Sequence, residues 1–242
     1  MKFNKIIQTI KKTNTPLMAM LVDPDKLNLE LVKDAAKNNV FCILVGGSSI
    51  KKNNFEKTIS QIKKKTKLPI VIFPGDEYQV SSKADGMLFL SLISGNNAEY
   101  LIGKQSKVAL SIKKNKIKTV PTAYVLINGG KVSTTQKVTN TKPLSLNAEI
   151  TARCVAAELL GFQLIYLEAG SGAESPLSNK LISNIKKLIQ LPIIAGGGIN
   201  TEKKLIRIIK ANPNLIVIGN AFENDPSLLK TFGLYFRQTS SS

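Results

Sequence analysis

Ile193-Ile194-Ala195-Gly196-Gly197-Gly198-Ile199-Asn200 is the stretch that decides the fold. A short apolar run breaks into three glycines and then leads into an amphipathic helical pattern at Glu202–Ala211. That order reads as strand, tight ligand-facing loop, helix. The same unit recurs on either side. Downstream, Leu215–Ile218 runs into Gly219-Asn220-Ala221; upstream, residues 163–167 run into Glu168-Ala169-Gly170-Ser171-Gly172. Farther out, strand patterns fall at Leu17–Val22 and at residues 41–45, 70–73, 86–90 and 118–127. Helical patterns fill intervals between them, at residues 29–38, Phe55–Lys65, 148–160 and 177–188. Strands alternating with helices call for parallel pairing. The chain therefore reads as α/β, a single (β/α)8 TIM barrel over residues 1–242, with a short N-terminal helix at Phe3–Lys12 capping its bottom. At 242 residues the length fits. An open doubly wound sheet shares the alternation, but no G-x-G-x-x-G follows the first strand, and the glycines gather after the last three.

Composition narrows the chemistry. There is no histidine, so the commonest general base and metal ligand is absent. Acid–base work falls to Asp, Glu, Lys, Tyr or Cys, and a metal would be a hard, oxygen-held cation, Mg2+ before Zn2+. Cys42 and Cys154 fall in a strand and a helix and read as buried reduced thiols. No apolar run reaches the roughly 20 residues that cross a bilayer, and the chain reads as cytoplasmic. The net charge of +18 is nearly all lysine, with arginine only at Arg153, Arg207 and Arg237. It is compatible with phosphorylated substrates, an anionic membrane surface or nucleic acid, and equally with compositional drift.

Four constellations carry chemistry. Asp23 ends the first strand in Leu21-Val22-Asp23-Pro24-Asp25-Lys26, where a barrel aims side chains into its mouth. Pro24 keeps it extended, and Asp25 reads as a turn cap. Gly46-Gly47-Ser48-Ser49 leaves the second strand, and a serine hydroxyl beside a carboxylate suits a Mg2+ that bridges a diphosphate. Tyr166-Leu167-Glu168-Ala169-Gly170-Ser171-Gly172 puts a carboxylate at the end of an apolar strand, where burial raises its pKa toward that of a base. Its glycines and Ser171 offer N–H groups and a hydroxyl to an anion. Gly196, Gly197 and Gly198, with Gly219 and Asn220, form a phosphate cradle of the kind many barrels carry. The irregular stretch at residues 128–143 has the length of a functional lid.

Taken together, these residues resemble the geranylgeranylglyceryl phosphate synthase family, which includes heptaprenylglyceryl phosphate synthases. The resemblance implies transfer of a prenyl group from its diphosphate to the 3-hydroxyl of sn-glycerol 1-phosphate, in ether-lipid biosynthesis. It implies Mg2+ on Asp23 and Ser48, and glycerol phosphate on Tyr166 through Ser171, Gly196 through Gly198, and Gly219-Asn220. Glu168 would take the hydroxyl proton and Tyr166 would orient the glycerol. Tyr100 and residues 89–93 are candidates for the wall of a prenyl groove. A homo-oligomer, and peripheral contact with anionic membrane, also follow from the resemblance and the lipid product. One departure stands out: many members carry lysine where this chain has Leu21, so a phosphate contact is missing or comes from Lys26 or the lysines of residues 128–143.

Two other readings compete. A small sugar-phosphate barrel enzyme would use the same glycines but leave Asp23 and Ser48 without a role. A basic nucleic-acid-binding protein would interleave aromatics with its cations. At 6% aromatics and no tryptophan, this chain shows no such stripe.

Overall fold

A computed structural model describes residues 2–48 and 55–237. Ser49, read above as part of the second glycine loop, lies outside them. Eight strands close a parallel barrel in sequence order: β1 Leu17–Val22, β2 Val40–Val45, β3 Ile70–Ile72, β4 Gly86–Leu92, β5 Thr119–Leu126, β6 Leu164–Glu168, β7 Ile193–Gly196 and β8 Leu215–Ile218. The helices are α1 Phe3–Lys12, α2 Leu29–Ala35, α3 Phe55–Lys65, α4 Lys104–Lys114, α5 Thr134–Thr139, α6 Asn147–Leu159, α7 Asn179–Leu188, α8 Glu202–Ala211, α9 Asn220–Asn224 and α10 Leu228–Arg237.

Strand parity sorts the apolar residues into two cores. Met20, Ile43, Ile72, Val125, Ile165 and Ile216 point outward under the helices. Ala19, Leu44, Val71, Leu126, Leu164 and Val217 fill the barrel interior. The apolar face of α1 (Phe3, Ile6, Ile7 and Ile10) joins that interior and stops the lower end, as its amphipathic spacing predicts. The upper end, at the strand C-termini, stays open and holds the site.

The differences from the sequence reading that bear on the site lie near that end. β6 and β7 each run one residue farther than expected, so Glu168 and Gly196 stand on strands and pair in register. The stretch at residues 128–143 contains a helix, α5, started by the Ser133 side chain accepting from the Gln136 N–H. A π-turn, Glu99–Gly103, precedes α4, a feature often found at functional sites.

Candidate active site

Inward parity continues from the strands into the loops. From β1, Leu21 is inward and Asp23 follows two residues on; from β6, Tyr166 and Glu168 are inward. Asp23, Ser48, Glu168, Ser171 and Asn220 all line one cavity of about 270 Å³ at the barrel mouth. The two carboxylates therefore share one opening. The cavity continues along an apolar wall that includes Phe89, Leu92, Tyr100 and Val108.

Glu168 is 8% exposed. Burial pushes its carboxyl up to about 7, while hydrogen bonds from the Gly170 N–H and the Tyr166 hydroxyl hold it back from rising further. The Gly170 N–H lies 2.8 Å from Oε1. This corrects one expectation: the Gly170 N–H serves the carboxylate and is not a free donor for an anion. Burial, and then the nearby Glu168 charge, raise the Tyr166 hydroxyl well above its ordinary value, so it stays protonated and donates.

Gly196 makes room for this pair. A Cβ there would stand 2.5 Å from the Tyr166 hydroxyl and 2.9 Å from Glu168 Oε2. Gly197 adopts φ +89° and carries the chain past the carboxylate toward Gly198 at φ +70°. The Asn220 amide donates to Ser171 Oγ at 2.5 Å and so joins the loops after β6 and β8.

Three aromatic rings stack beneath the site. Tyr166 lies between Phe73 at 4.9 Å and Tyr124 at 5.2 Å, centroid to centroid. Tyr124 is also hydrogen bonded to Thr135 of α5. Sequence reasoning passed over Tyr124 and Phe73. The available signal was parity: Tyr124 pairs with Tyr166 in register.

At the β1 end, Asp23 Oδ1 accepts from the Asp25 N–H at 2.9 Å, so Asp23 itself caps the 3-10 turn Pro24–Lys26. Ser48 Oγ lies 3.2 Å from Thr135 Oγ1, a hydroxyl contact that ties the second glycine loop to α5. Lys26 also faces the cavity, but its ammonium pairs with Glu223 at 2.9 Å. Leu21 lies against Gly219. Beyond Asp23, Lys104 pairs with Asp76 at 3.0 Å and Glu77 at 2.8 Å, and stands 5.3 Å from the Tyr100 ring centroid. Cys42 and Cys154 are buried free thiols, both raised to about 12 by burial and so inert.

A closed parallel barrel with glycine loops and a buried carboxylate at its mouth defines a (β/α)8-barrel enzyme. Residues 8–233 match the PcrB family. The geranylgeranylglyceryl phosphate synthase of Flavobacterium johnsoniae is 43% identical over 234 residues, which is 91% of this chain and 96% of the relative. The enzyme of that name from Methanosphaera stadtmanae is 36% identical, at 94% of both chains. Among solved structures, (S)-3-O-geranylgeranylglyceryl phosphate synthase from Thermoplasma acidophilum, in complex with sn-glycerol-1-phosphate, superposes with a TM-score of 0.91 over the full length of both chains at 27% identity. The chain belongs to the PcrB family and is a prenyltransferase of the geranylgeranylglyceryl phosphate synthase type.

Proposed function

We propose that the protein transfers a geranylgeranyl or similar prenyl group from its diphosphate to the 3-hydroxyl of sn-glycerol 1-phosphate. The observation that carries this reading is the shared cavity, which Glu168 lines together with Asp23, Ser48 and an apolar wall. The glycerol phosphate takes the glycine-loop side, near Ser171, Gly197, Gly198, Gly219 and Asn220. The prenyl chain takes the apolar wall past Tyr100 and Phe89.

Glu168 as carboxylate accepts the hydroxyl proton while the glycerol oxygen bonds to the allylic carbon. The carbon–oxygen bond to diphosphate breaks, and diphosphate departs with the electron pair. Allylic cation character in this step needs no protein nucleophile. Tyr166 holds the carboxylate in place by its hydrogen bond.

Asp23 and Ser48 fit Mg2+, a hard cation that takes oxygen ligands, since both present oxygen to the cavity. Two protein oxygens leave the remaining positions to water and diphosphate, as Mg2+ prefers. Bound there, Mg2+ would neutralise charge on the departing diphosphate.

Labelled sn-glycerol 1-phosphate, Mg2+ and prenyl diphosphates of several lengths test the reaction; no labelled prenyl ether in any combination would refute it. Asp23→Asn should raise the Mg2+ concentration for half-maximal rate at least tenfold, or about 1.4 kcal/mol. An unchanged Mg2+ requirement would remove Asp23 from the metal site.

We also propose peripheral membrane contact at this end of the barrel, where a lipid product would leave. Exposed Ile102, Val132 and Leu146 lie on segments following β4 and β5, interspersed with exposed Lys137 and Lys142. Phosphatidylglycerol vesicles should co-sediment the protein at low salt and release it at high salt. Equal sedimentation with neutral vesicles would argue against the lysines.

A further inference from the structure

Gln79 is 0% exposed, yet it carries one of the most polar uncharged side chains. It lies in the loop after β3, and its amide reaches across to the loop after β2. Oε1 accepts from the Gly47 N–H at 3.2 Å and from the Gly75 N–H at 3.1 Å. Nε2 donates to the Gly47 carbonyl at 2.7 Å. One side chain thus satisfies both backbone groups of Gly47 and a third on its own loop, as a neighbouring strand would. A buried amide with three bonds made is a rigid element, because breaking any of them strands a polar group away from water.

The two loops interlock around this amide. A Cβ at Gly46 would strike the Phe73 carbonyl oxygen, and one at Gly75 would lie 2.7 Å from Ser48 Cα. The β3 loop is anchored in turn by Lys104, through Asp76 and Glu77. Ser48 is the next residue after Gly47, and its hydroxyl meets Thr135 of α5.

We infer that Gln79 is a positioning residue that holds the Gly46-Gly47-Ser48 loop so that the Ser48 hydroxyl stays in the site for metal-bound diphosphate. The inference rests on the assignment of Ser48 to that site. Gln79 touches no reacting atom; it acts through Gly47. Its effect should therefore fall on one substrate only.

The test compares Gln79→Leu, Gln79→Glu and Ser48→Ala, all as full-length protein. Gln79→Glu is nearly isosteric and, ionised, keeps the two accepted bonds while setting its second oxygen against the Gly47 carbonyl in place of a donor. Strand amide protection reports whether each variant has folded. In both Gln79 variants, half-maximal Mg2+ and the KM for prenyl diphosphate should rise about tenfold, as for loss of one or two net hydrogen bonds. The KM for sn-glycerol 1-phosphate should stay within about twofold, since loops on the far side of the mouth bind it. Without substrate, amide exchange at Gly47 and Gly75 should quicken in Gln79→Leu, which loses the oxygen that accepts from both, while the barrel strands keep their protection. Equal rises in both KM values, or unchanged exchange at Gly47 in a folded Gln79→Leu, would overturn the inference. Ser48→Ala separates the two claims. If it leaves the Mg2+ requirement unchanged, the metal assignment fails, whereas faster Gly47 exchange in Gln79→Leu would still show the clamp. If Ser48→Ala weakens Mg2+ use and Gln79→Glu does not, the clamp alone is wrong.

Discussion

Replacing Glu168 by glutamine is expected to lower turnover about a thousandfold, within the range for loss of a positioned general base. The amide is nearly the same size and can still accept from Gly170, so substrate KM values and the fold should persist. A variant within threefold of wild type would remove the base assignment. The wild-type rate should follow the same group. With its carboxyl at about 7 rather than the ordinary 4.5, kcat/KM should climb through pH 7, because only the carboxylate can take a proton. A limb centred near 4.5 would mean that a different group limits the rate.

The same substitution should stabilise the protein at high pH. The folded pKa of Glu168 is raised, so the folded state binds the proton more tightly than the unfolded chain does. Stability therefore falls as pH rises from 4.5 to about 7 and stays lowered above that. Raised by this much, a buried carboxyl destabilises the fold by on the order of 3 kcal/mol at pH 8. The glutamine side chain carries no charge and escapes that loss. Glu168→Gln should unfold at a higher temperature than wild type at pH 8, and the difference should shrink on approaching pH 4.5. A constant difference across that range would assign the effect to packing. The site is thus a place where the chain holds a carboxylate against its own stability, as expected of a group kept for proton transfer.

Much of this arrangement was legible in the sequence because its signals are local. Apolar runs ending in glycine marked the last three strands, and β1 and β8 fall where the pattern put them. Glu168 stood out as a charge closing an apolar run. What escaped depends on partners distant in sequence. Gln79 reads as an ordinary loop residue until Gly47, 32 residues away, is brought beside it. Lys104 is one of many lysines until Asp76 and Glu77 meet it. Helix α5, Thr-Thr-Gln-Lys-Val-Thr, is too short and too rich in β-branched residues to announce itself. It is held by its Ser133 cap, the Ser48–Thr135 contact and the Tyr100 hydroxyl donating to the Val138 carbonyl.

The glycine at the centre of the stretch after β7 offers the sharpest structural test. Gly197→Ala should cut activity at least a hundredfold, comparable to the effect of displacing a catalytic group by about 1 Å. Its φ of +89° already disfavours a side chain, by about 1–2 kcal/mol. Strain alone would not reach the chemistry. The new methyl, however, would collide with Glu168 Oε1 and sit 2.7 Å from the Gly170 nitrogen, at the two ends of the hydrogen bond that fixes the carboxylate. Neither end is the free tip of a flexible chain, so one of them must shift. Gly161→Ala supplies the control. It shares a positive φ, +84°, but its Cβ would meet nothing within 4 Å. That variant should lose a similar increment of thermal stability and keep its rate. Parallel losses of stability with a large loss of rate in Gly197→Ala alone would locate the cost in the displaced carboxylate. If Gly161→Ala lost activity as severely, backbone strain anywhere in the barrel would explain the result, and Gly197 would have no special bearing on Glu168.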